Sequence, residues 1–408
     1  MTTYEPDTVK GFPEFLPPQS QKYAAVQHAV EQQFKLHGFL PIKTPTVEFD
    51  ELMRPDTQGP EDEAVSSRFK LQDRGGRNLG LRYEFTFQLA RIFKQHPNIK
   101  LPFRRYQIGS VFRDEPTSSG RYREFVQCDA DIIGDASLEA DAECLALWSD
   151  IMKSLGIKAE IHVNHRKLAN AILDSVQISQ KAEVMHEIDK LDKLDEDTVK
   201  ANLKKYADTN QVLTLFKLLE KDLAFFVSNM FDGADDIIKL RELGKKHGFT
   251  LVFDPLLVRG LSYYTGMVVE LKHAEGKHSL AGGGRYDKSV GKFLNREIPA
   301  VGISASVERL VEHATISQQG PRALVISIDR HAEALKLSRT LRQAHISCLV
   351  STDKPGKSLE YANSYQIPYA IFIGSEEAKK KKFKLKNMLS GDEHEYTEKS
   401  LIRALQKG

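Results

Sequence analysis

Two alternating stretches, residues 104–115 and 121–133, flank the turn-forming run from Pro116 to Gly120, and this pairing restricts the fold more than any other part of the chain. Such a connection makes the two strands an antiparallel hairpin. With a period of two, Arg113 and Glu115 share one face of the first strand. Arg121, Arg123, Phe125, Gln127, Asp129 and Asp131 share one face of the second, while Tyr122, Val126, Cys128, Ala130 and Ile132 lie on the other. The hairpin therefore offers three guanidinium groups, a phenyl ring and several carboxylates to one space. Arginine forks suit phosphate and carboxylate oxygens, and a ring can stack on a base. A solvated, salt-bridged face has the same composition, so the pattern alone leaves both readings open.

At 408 residues the chain is long enough for two or three domains, each with its own core. A 41% hydrophobic and 28% charged composition is that of a soluble globular protein. No apolar run approaches the roughly 20 residues of a membrane span, and the start MTTYEPDTVK lacks a signal-peptide pattern. Cys128, Cys144 and Cys348 form no CxxC pair, so neither a disulfide framework nor a zinc site is expected, and a cytoplasmic setting follows. The net charge of +2 announces no nucleic-acid binding, so any such surface is a local patch.

Along the chain, residues 19–38 have helical spacing and stop at Gly38, and Phe39 to Val47 reads as a strand that Pro45 confines to an edge, an end or an interface. Short strands at 67–72 and 79–82 surround a DRGGRN turn, before a helix from about Thr86 to Lys94. A helix at 137–155 and a strand at 157–163 follow the hairpin. From about 165 to 248 the pattern is charged and helical, an insertion without strands. Strands return at 250–254 and 264–272, and a helix is expected from near Ser304. The polar linker TISQQGPR (315–322) marks the domain boundary, so the expected domains are 1–320, with the insertion at about 168–248, and 321–408. Beyond it strands and helices alternate as in a compact α/β domain, and Lys379 to Lys382 reads as a solvated loop.

There is no GxxxxGK[ST] loop and no GxGxxG leading from strand to helix, so side chains such as arginine must hold any phosphates. No HExxH occurs. AGGGRYD (281–287) alone could be a glycine bulge. LVRGLSYYTG (257–266) places Arg259, Tyr263 and Tyr264 beside two glycines, which also fits a turn with packed rings. Glu84 and Thr86 in LRYEFT could be a capping pair.

Taken together, these segments resemble the histidyl-tRNA synthetases, members of the class II aminoacyl-tRNA synthetases, over essentially the whole chain. KGFPEFLPPQ and GFLPIKTPTVE look like the N-terminal signature and motif 1. LRYEFT resembles the histidine-binding loop, and VFRDEPTSSGRYREFVQCDADIIG is similar to motif 2. LVRGLSYYTG resembles the histidyl-specific motif, and AGGGRYD with PAVGISASVERL the block that contains motif 3. The resemblance implies an α+β fold: a mixed, mainly antiparallel sheet of about six or seven strands flanked by helices, a helical insertion, and a C-terminal α/β anticodon-binding domain. It also implies a homodimer built on motif 1, no membrane association, and L-histidine, ATP with Mg²⁺, and tRNA(His) as substrates and partners.

The roles it implies fall on numbered residues. Arg113 would bridge the α-phosphate and the histidine carboxylate. Glu115 and Arg121 would grip adenine and the outer phosphates, Phe125 would stack on adenine, and Arg309 would meet the nucleotide from the other side. Glu84, Thr86 and Gln127 would hold the α-amino group. Asp131 and Tyr264 would read the imidazole, with Tyr263 and Tyr286 lining the same pocket. Arg259 would be the family's own catalytic arginine. Asp131 stands where bacterial members usually carry Glu and eukaryal and archaeal members often carry Asp; Ser262, where the family usually has Asp, is the clearer departure. The motif 2 turn, Thr117 to Gly120, would approach the acceptor end, where the family reads an extra 5′ guanylate. Two other readings share the resemblance. A histidine-binding regulatory subunit of ATP phosphoribosyltransferase usually loses active-site residues and the C-terminal domain, and both are present here. A sensor of uncharged tRNA within a signalling protein would carry a kinase-like segment, and none is seen.

Overall fold

The computed structural model describes residues 6–53, 67–118, 120–258, 263–276, 279–316 and 320–407. The chain divides into two compact units, Met1–Glu14 with Val26–Ile316, and Phe15–Ala25 with Ser317–Gly408. Helix α1 (Gln19–Leu36) buries Ala25, Val26, Val30 and Phe34 at helical spacing. Gly38 follows at φ +76, a conformation that glycine adopts without steric cost. The single strand expected over 39–47 is instead two pieces, β1 (Leu40–Pro41) and β2 (Val47–Phe49). Pro41 and Pro45 supply no N–H, so a continuous ladder cannot form there.

Strands β3 (Lys70–Gln72) and β4 (Asn78–Leu81) join β2 in a three-stranded sheet, and α2 (Phe87–Gln95) follows. The hairpin strands are β5 (Phe103–Phe112) and β6 (Glu124–Ile133), shorter than the alternation suggests. Next come α3 (Leu138–Ser154), β7 (Ala159–His165) and the helical segment α4 (Arg166–Ser175), α5 (Lys181–Ile188), α6 (Glu196–Leu203), α7 (Thr209–Leu219), α8 (Leu223–Ser228) and α9 (Ala234–His247). Strands β8 (Leu251–Phe253), β9 (Met267–His273), β10 (Ser279–Arg285) and β11 (Ala300–Ser306) then lead into α10 (Val307–His313). The residues near Ser304 are thus strand rather than helix. Ala-Val-Gly-Ile-Ser-Ala-Ser is a buried strand of small residues between two neighbours, which gives a weak periodic signal.

These strands form one eight-stranded sheet in the order β1-β5-β6-β11-β10-β9-β7-β8. It is antiparallel throughout except for the outer pairs β1–β5 and β7–β8, which are parallel. The strand number exceeds the expected six or seven because two very short strands cap the edges. Glycine fills three successive positions of β10, and it runs as a strand with a register shift between Ser279 and Ala281. Trp148 and Leu145 of α3 are fully buried.

In the second unit β12 (Ala323–Ser327), α11 (His331–Gln343), β13 (Cys348–Ser351), α12 (Pro355–Ser364), β14 (Tyr369–Ile373), α13 (Ser375–Lys380), β15 (Lys382–Asn387), β16 (Glu393–Thr397) and α14 (Glu398–Lys407) alternate. The sheet order is β13-β12-β14-β15-β16, parallel for the first three strands and antiparallel after them. Its core joins Val325, Leu337, Leu341, Ile371, Leu401 and Leu405. The lysine run expected as a loop instead closes α13 and opens β15 across Lys381, which has φ +50. No helix among the described residues is long and apolar enough to cross a membrane.

Candidate active site

The register of the large sheet builds the site. Arg105, Asp131, Gly302 and Gly284 lie opposite one another on β5, β6, β11 and β10. Two residues along each strand, Gln107, Asp129, Ser304 and Gly282 form the next row on the same face. Gln127 and Ser306 continue the face toward Phe125. Above this floor is a cleft of about 460 Å³. Its walls include Glu84, Thr86, Arg113, Glu115, Arg121, Phe125, Gln127, Asp131, Tyr263, Tyr264, Tyr286 and Arg309. The structure therefore brings together every described residue to which the resemblance gives a role toward histidine or ATP, though not Arg123 of the hairpin face. Arg259 lies outside the described residues, as does Ser262.

Glycine is required where the floor meets the acid. A Cβ on Gly302 would fall 1.9 Å from Asp131 Oδ1, and one on Gly284 would fall 2.2 Å from the Met267 carbonyl. Asp131 uses that space: the Tyr286 hydroxyl donates to its Oδ1, and Arg105 Nη2 stands 2.7 Å from its Oδ2. Gln127 donates from Nε2 to Asp129 Oδ1 at 2.9 Å. Tyr263 donates to Glu84 Oε2 at 3.5 Å, and Glu84 Oε1 has no hydrogen-bond partner among the described residues. Thr86 occupies the N-cap of α2 but makes no capping hydrogen bond, so the capping-pair reading of Glu84 and Thr86 does not hold.

Burial sets the protonation of this acid cluster. It pushes Glu84 up to about 8, with the charge of Asp129 adding to the effect. Burial likewise pushes Asp129 up to about 6, against the pull of Arg105. Asp131 is raised by burial too, with Arg105 and the Tyr286 hydrogen bond opposing. Burial works against the charge of Arg105, but Asp131 and Asp129 outweigh it and hold the guanidinium protonated.

The other side of the cleft is cationic and aromatic. The Arg113 guanidinium lies 4.4 Å from the centre of the Tyr83 ring and 5.1 Å from that of Phe125, a cation–π contact with each. Glu115 accepts from Tyr83 at 3.0 Å and from Arg121 Nε at 3.0 Å. Burial alone would raise Glu115, but Arg121 and Arg113 together hold it below the usual carboxylate range. Arg309 Nη1 donates to the Ser279 carbonyl at 2.8 Å.

Two face assignments change. Tyr122 lines the cleft, whereas Arg123 does not, because residues 121–123 lie beyond β6 and the strict alternation lapses there. Arg123 instead donates to the Glu115 carbonyl at 3.2 Å and pairs with Asp114 at 3.3 Å. Sequence reasoning missed Tyr83, Ser304 and Glu270, which line the cleft, and Arg105, which is fully buried against Asp131. It also missed His186, Asp189, Lys190 and Lys193 of the helical segment, which line the same cleft. Stepping back by two from Arg113 places Arg105 on the functional face, which is the signal that could have found it.

The arrangement can hold a polyanion beside stacked rings, next to a pocket of acceptors suited to a ligand with N–H and ammonium groups. Comparison with known proteins agrees. The family profile described as histidyl-tRNA synthetase matches residues 11–310, and one described as an anticodon binding domain matches 322–408. A protein of Bacillus cereus named histidine–tRNA ligase 1 is 35% identical over 422 aligned positions, covering 97% of this chain and 99% of its own. The crystal structure of histidyl-tRNA synthetase from Nostoc sp. PCC 7120 superposes with a TM-score of 0.87 at 26% identity, covering 99% of this chain and all of that one. A structure from Bacillus halodurans C, described as an ATP phosphoribosyltransferase regulatory subunit/histidyl-tRNA synthetase, has a TM-score of 0.75 at 23% identity. It covers 91% of this chain and 99% of its own, and it shares the fold. With a matching profile over most of its length and a relative of this identity, the chain belongs to the histidyl-tRNA synthetase family.

Proposed function

We propose that this chain joins L-histidine to tRNA(His) in two steps, through a histidyl-adenylate. The observation that carries the reading is the division of one cleft into an acceptor-lined pocket around Asp131 and an arginine-lined trough around Phe125. Histidine would sit in the first, its α-ammonium against Glu84, Thr86 and Gln127 and its ring among Asp131, Tyr263, Tyr264 and Tyr286. ATP would occupy the second, its adenine on Phe125, with Arg113, Glu115, Arg121 and Arg309 around it. The histidine carboxylate attacks the α-phosphorus in line and pyrophosphate leaves. Both partners are anionic, so the work is charge neutralisation, performed by Arg113 and Arg259 as catalytic residues rather than by a general base. Magnesium enters with the triphosphate as MgATP. Glu270, a carboxylate of the cleft wall, would be the residue to hold it, and its chemistry would be neutralisation of the outer phosphates.

The domain reading that goes with this function is a class II catalytic domain over 1–320, with the insertion at about 168–248, and an anticodon-binding domain over 321–408. Its setting would be the cytoplasm. A homodimer is part of the proposal. Phe49, Leu79 and Leu71 lie opposite one another across the three-stranded sheet, and Phe49 and Leu71 are 51% and 43% exposed. An apolar row of this kind on a sheet face calls for a partner surface.

The decisive experiment is histidine-dependent ATP–pyrophosphate exchange, followed by charging of tRNA(His). Exchange that responds to histidine and to no other amino acid is the expected result. Histidine binding without exchange would move the chain to the regulatory-subunit reading and overturn this one.

A further inference from the structure

We infer that Arg105 is a positioning residue for ring recognition: it fixes Asp131 as an acceptor, which commits the Tyr286 hydroxyl to donate to Asp131 and leaves the phenol oxygen to accept an N–H from the substrate ring. The inference rests on the proposed histidine site and names one source of its selectivity.

Arg105 is fully buried, Asp131 is 3% exposed and Tyr286 is 2% exposed. Arg105 stands directly opposite Asp131 in the strand register, with Nη2 2.7 Å from Oδ2. None of its three guanidinium nitrogens makes a well-aligned hydrogen bond with a described residue. Its contribution is therefore charge rather than hydrogen-bond geometry. A buried cation with so few partners is costly unless an anion answers it, and Asp131 is that anion. The two oxygens of Asp131 are then divided, Oδ2 toward Arg105 and Oδ1 toward Tyr286. Because an ionised carboxylate cannot donate, the phenol proton must point at it.

The groups around Asp131 show why a counter-charge is needed. Asp129 lies on its own strand, Glu84 on the segment before α2, Tyr286 after β10 and the Cys144 thiol on α3, and the charge of Asp131 pushes up the pKa of all four. Arg113 is the other nearby cation acting on Glu84. The opposite strand neighbour, Gly302, contributes room and no charge. Without Arg105, burial among these acids favours a protonated Asp131. The Asp131–Tyr286 pair could then donate as readily as accept, and a site that can do both reads a ring poorly.

The test compares Arg105→Met and Arg105→Gln, which remove the charge, with Arg105→Lys, which keeps it. Histidine-dependent pyrophosphate exchange is measured between pH 7 and 8.5. The neutral variants are expected to raise the KM for histidine about 10-fold or more at pH 7, with kcat and the KM for ATP changed much less. That defect should shrink as pH rises and Asp131 ionises. Arg105→Lys should follow the pH dependence of the wild type, with a KM ratio to wild type that stays constant across the range. Neutral variants with wild-type KM at every pH, or a lysine variant as defective as methionine, overturn the inference. Should neither neutral variant fold, carbon-13 NMR of aspartate-labelled wild-type protein still decides. The carboxyl resonance lost in Asp131→Asn must be that of a carboxylate at pH 7.5, and a protonated one overturns the inference. A wild-type chain with no response to histidine fails at the earlier step, so the two failures are distinguishable.

Discussion

Glu84 should trade stability for binding, and the trade can be measured. The residue is 5% exposed, with one carboxyl oxygen near Tyr263 and the other unpartnered among the described residues. Burial first, and then the charge of Asp129, push it up to about 8 from the ordinary 4.5. In the unfolded chain Glu84 ionises near 4.5, whereas the folded chain keeps the proton until about 8. Between those values the folded state binds more protons, so stability falls as pH rises through the window and levels off above it. A shift of this size, at roughly 1.4 kcal/mol per pH unit, sets a ceiling of ~5 kcal/mol, and relaxation around the acid leaves ~2–5 kcal/mol. Glu84→Gln removes the ionisable group while keeping its shape. The variant should therefore be more stable than wild type at pH 8.5, by roughly 4–10 °C in Tm, and equal to it near pH 4.5.

The same variant should lose histidine, because the α-ammonium needs a carboxylate. Binding to the wild type at pH 7 should release close to one proton per site, read by titration calorimetry in two buffers of different ionisation enthalpy. Glu84→Gln should show weak binding without that release. Parallel stability curves for the two proteins, together with no proton release in the wild type, would refute the reasoning.

Two further outcomes follow from packing. Gly302→Ala places a methyl 1.9 Å from the Asp131 carboxylate, so the acid must move. A stability loss of about 1–3 kcal/mol is expected, with a larger loss in histidine affinity than in ATP affinity, measured by denaturant unfolding and exchange kinetics. Phe49→Asp puts a charge at the β2 end of the apolar row formed with Leu79 and Leu71. It should shift the protein toward monomer in analytical ultracentrifugation while leaving the secondary structure unchanged by circular dichroism.

The hairpin was legible because its two faces differ in chemistry. Cys128, Ala130 and Ile132 are fully buried on one side, while Gln127, Asp129 and Asp131 face the cleft on the other. Period-two reasoning carried that correctly from Phe125 to Asp131 and failed at Tyr122 and Arg123, where the ladder has already ended. The dipeptide Arg104-Arg105 taken alone does not say which arginine is interior; only the period of two counted from Arg113 puts Arg105 on the cleft face. The fold decides: Arg104 reaches Glu143 at 2.6 Å near the surface, while Arg105 points into the sheet face. Strand β11 was missed for a related reason, since its small residues matter through what they leave open above Asp131. The residues of α5 and the turn after it that line the cleft, His186, Asp189, Lys190 and Lys193, come from a segment whose charge pattern reads as ordinary solvated helix.

The electrostatics of the cleft argue for two unlike ligands side by side. Glu84, Asp129 and Asp131 are all held above their ordinary pKa by burial, a cost to folding that only a ligand rich in N–H and ammonium donors can offset. A few residues away Arg113, Arg121 and Arg309 offer only donors, which suits a ligand made of acceptors. Arg113 sits where the two regimes meet. Its charge pulls down the pKa of Glu84 on the acid side and of Glu115 on the arginine side, and its guanidinium lies near the Tyr83 and Phe125 rings. A group in that position can touch the carboxylate of an amino acid and the phosphate it attacks in the same geometry. The bond between them would form where one fixed charge already serves both reactants.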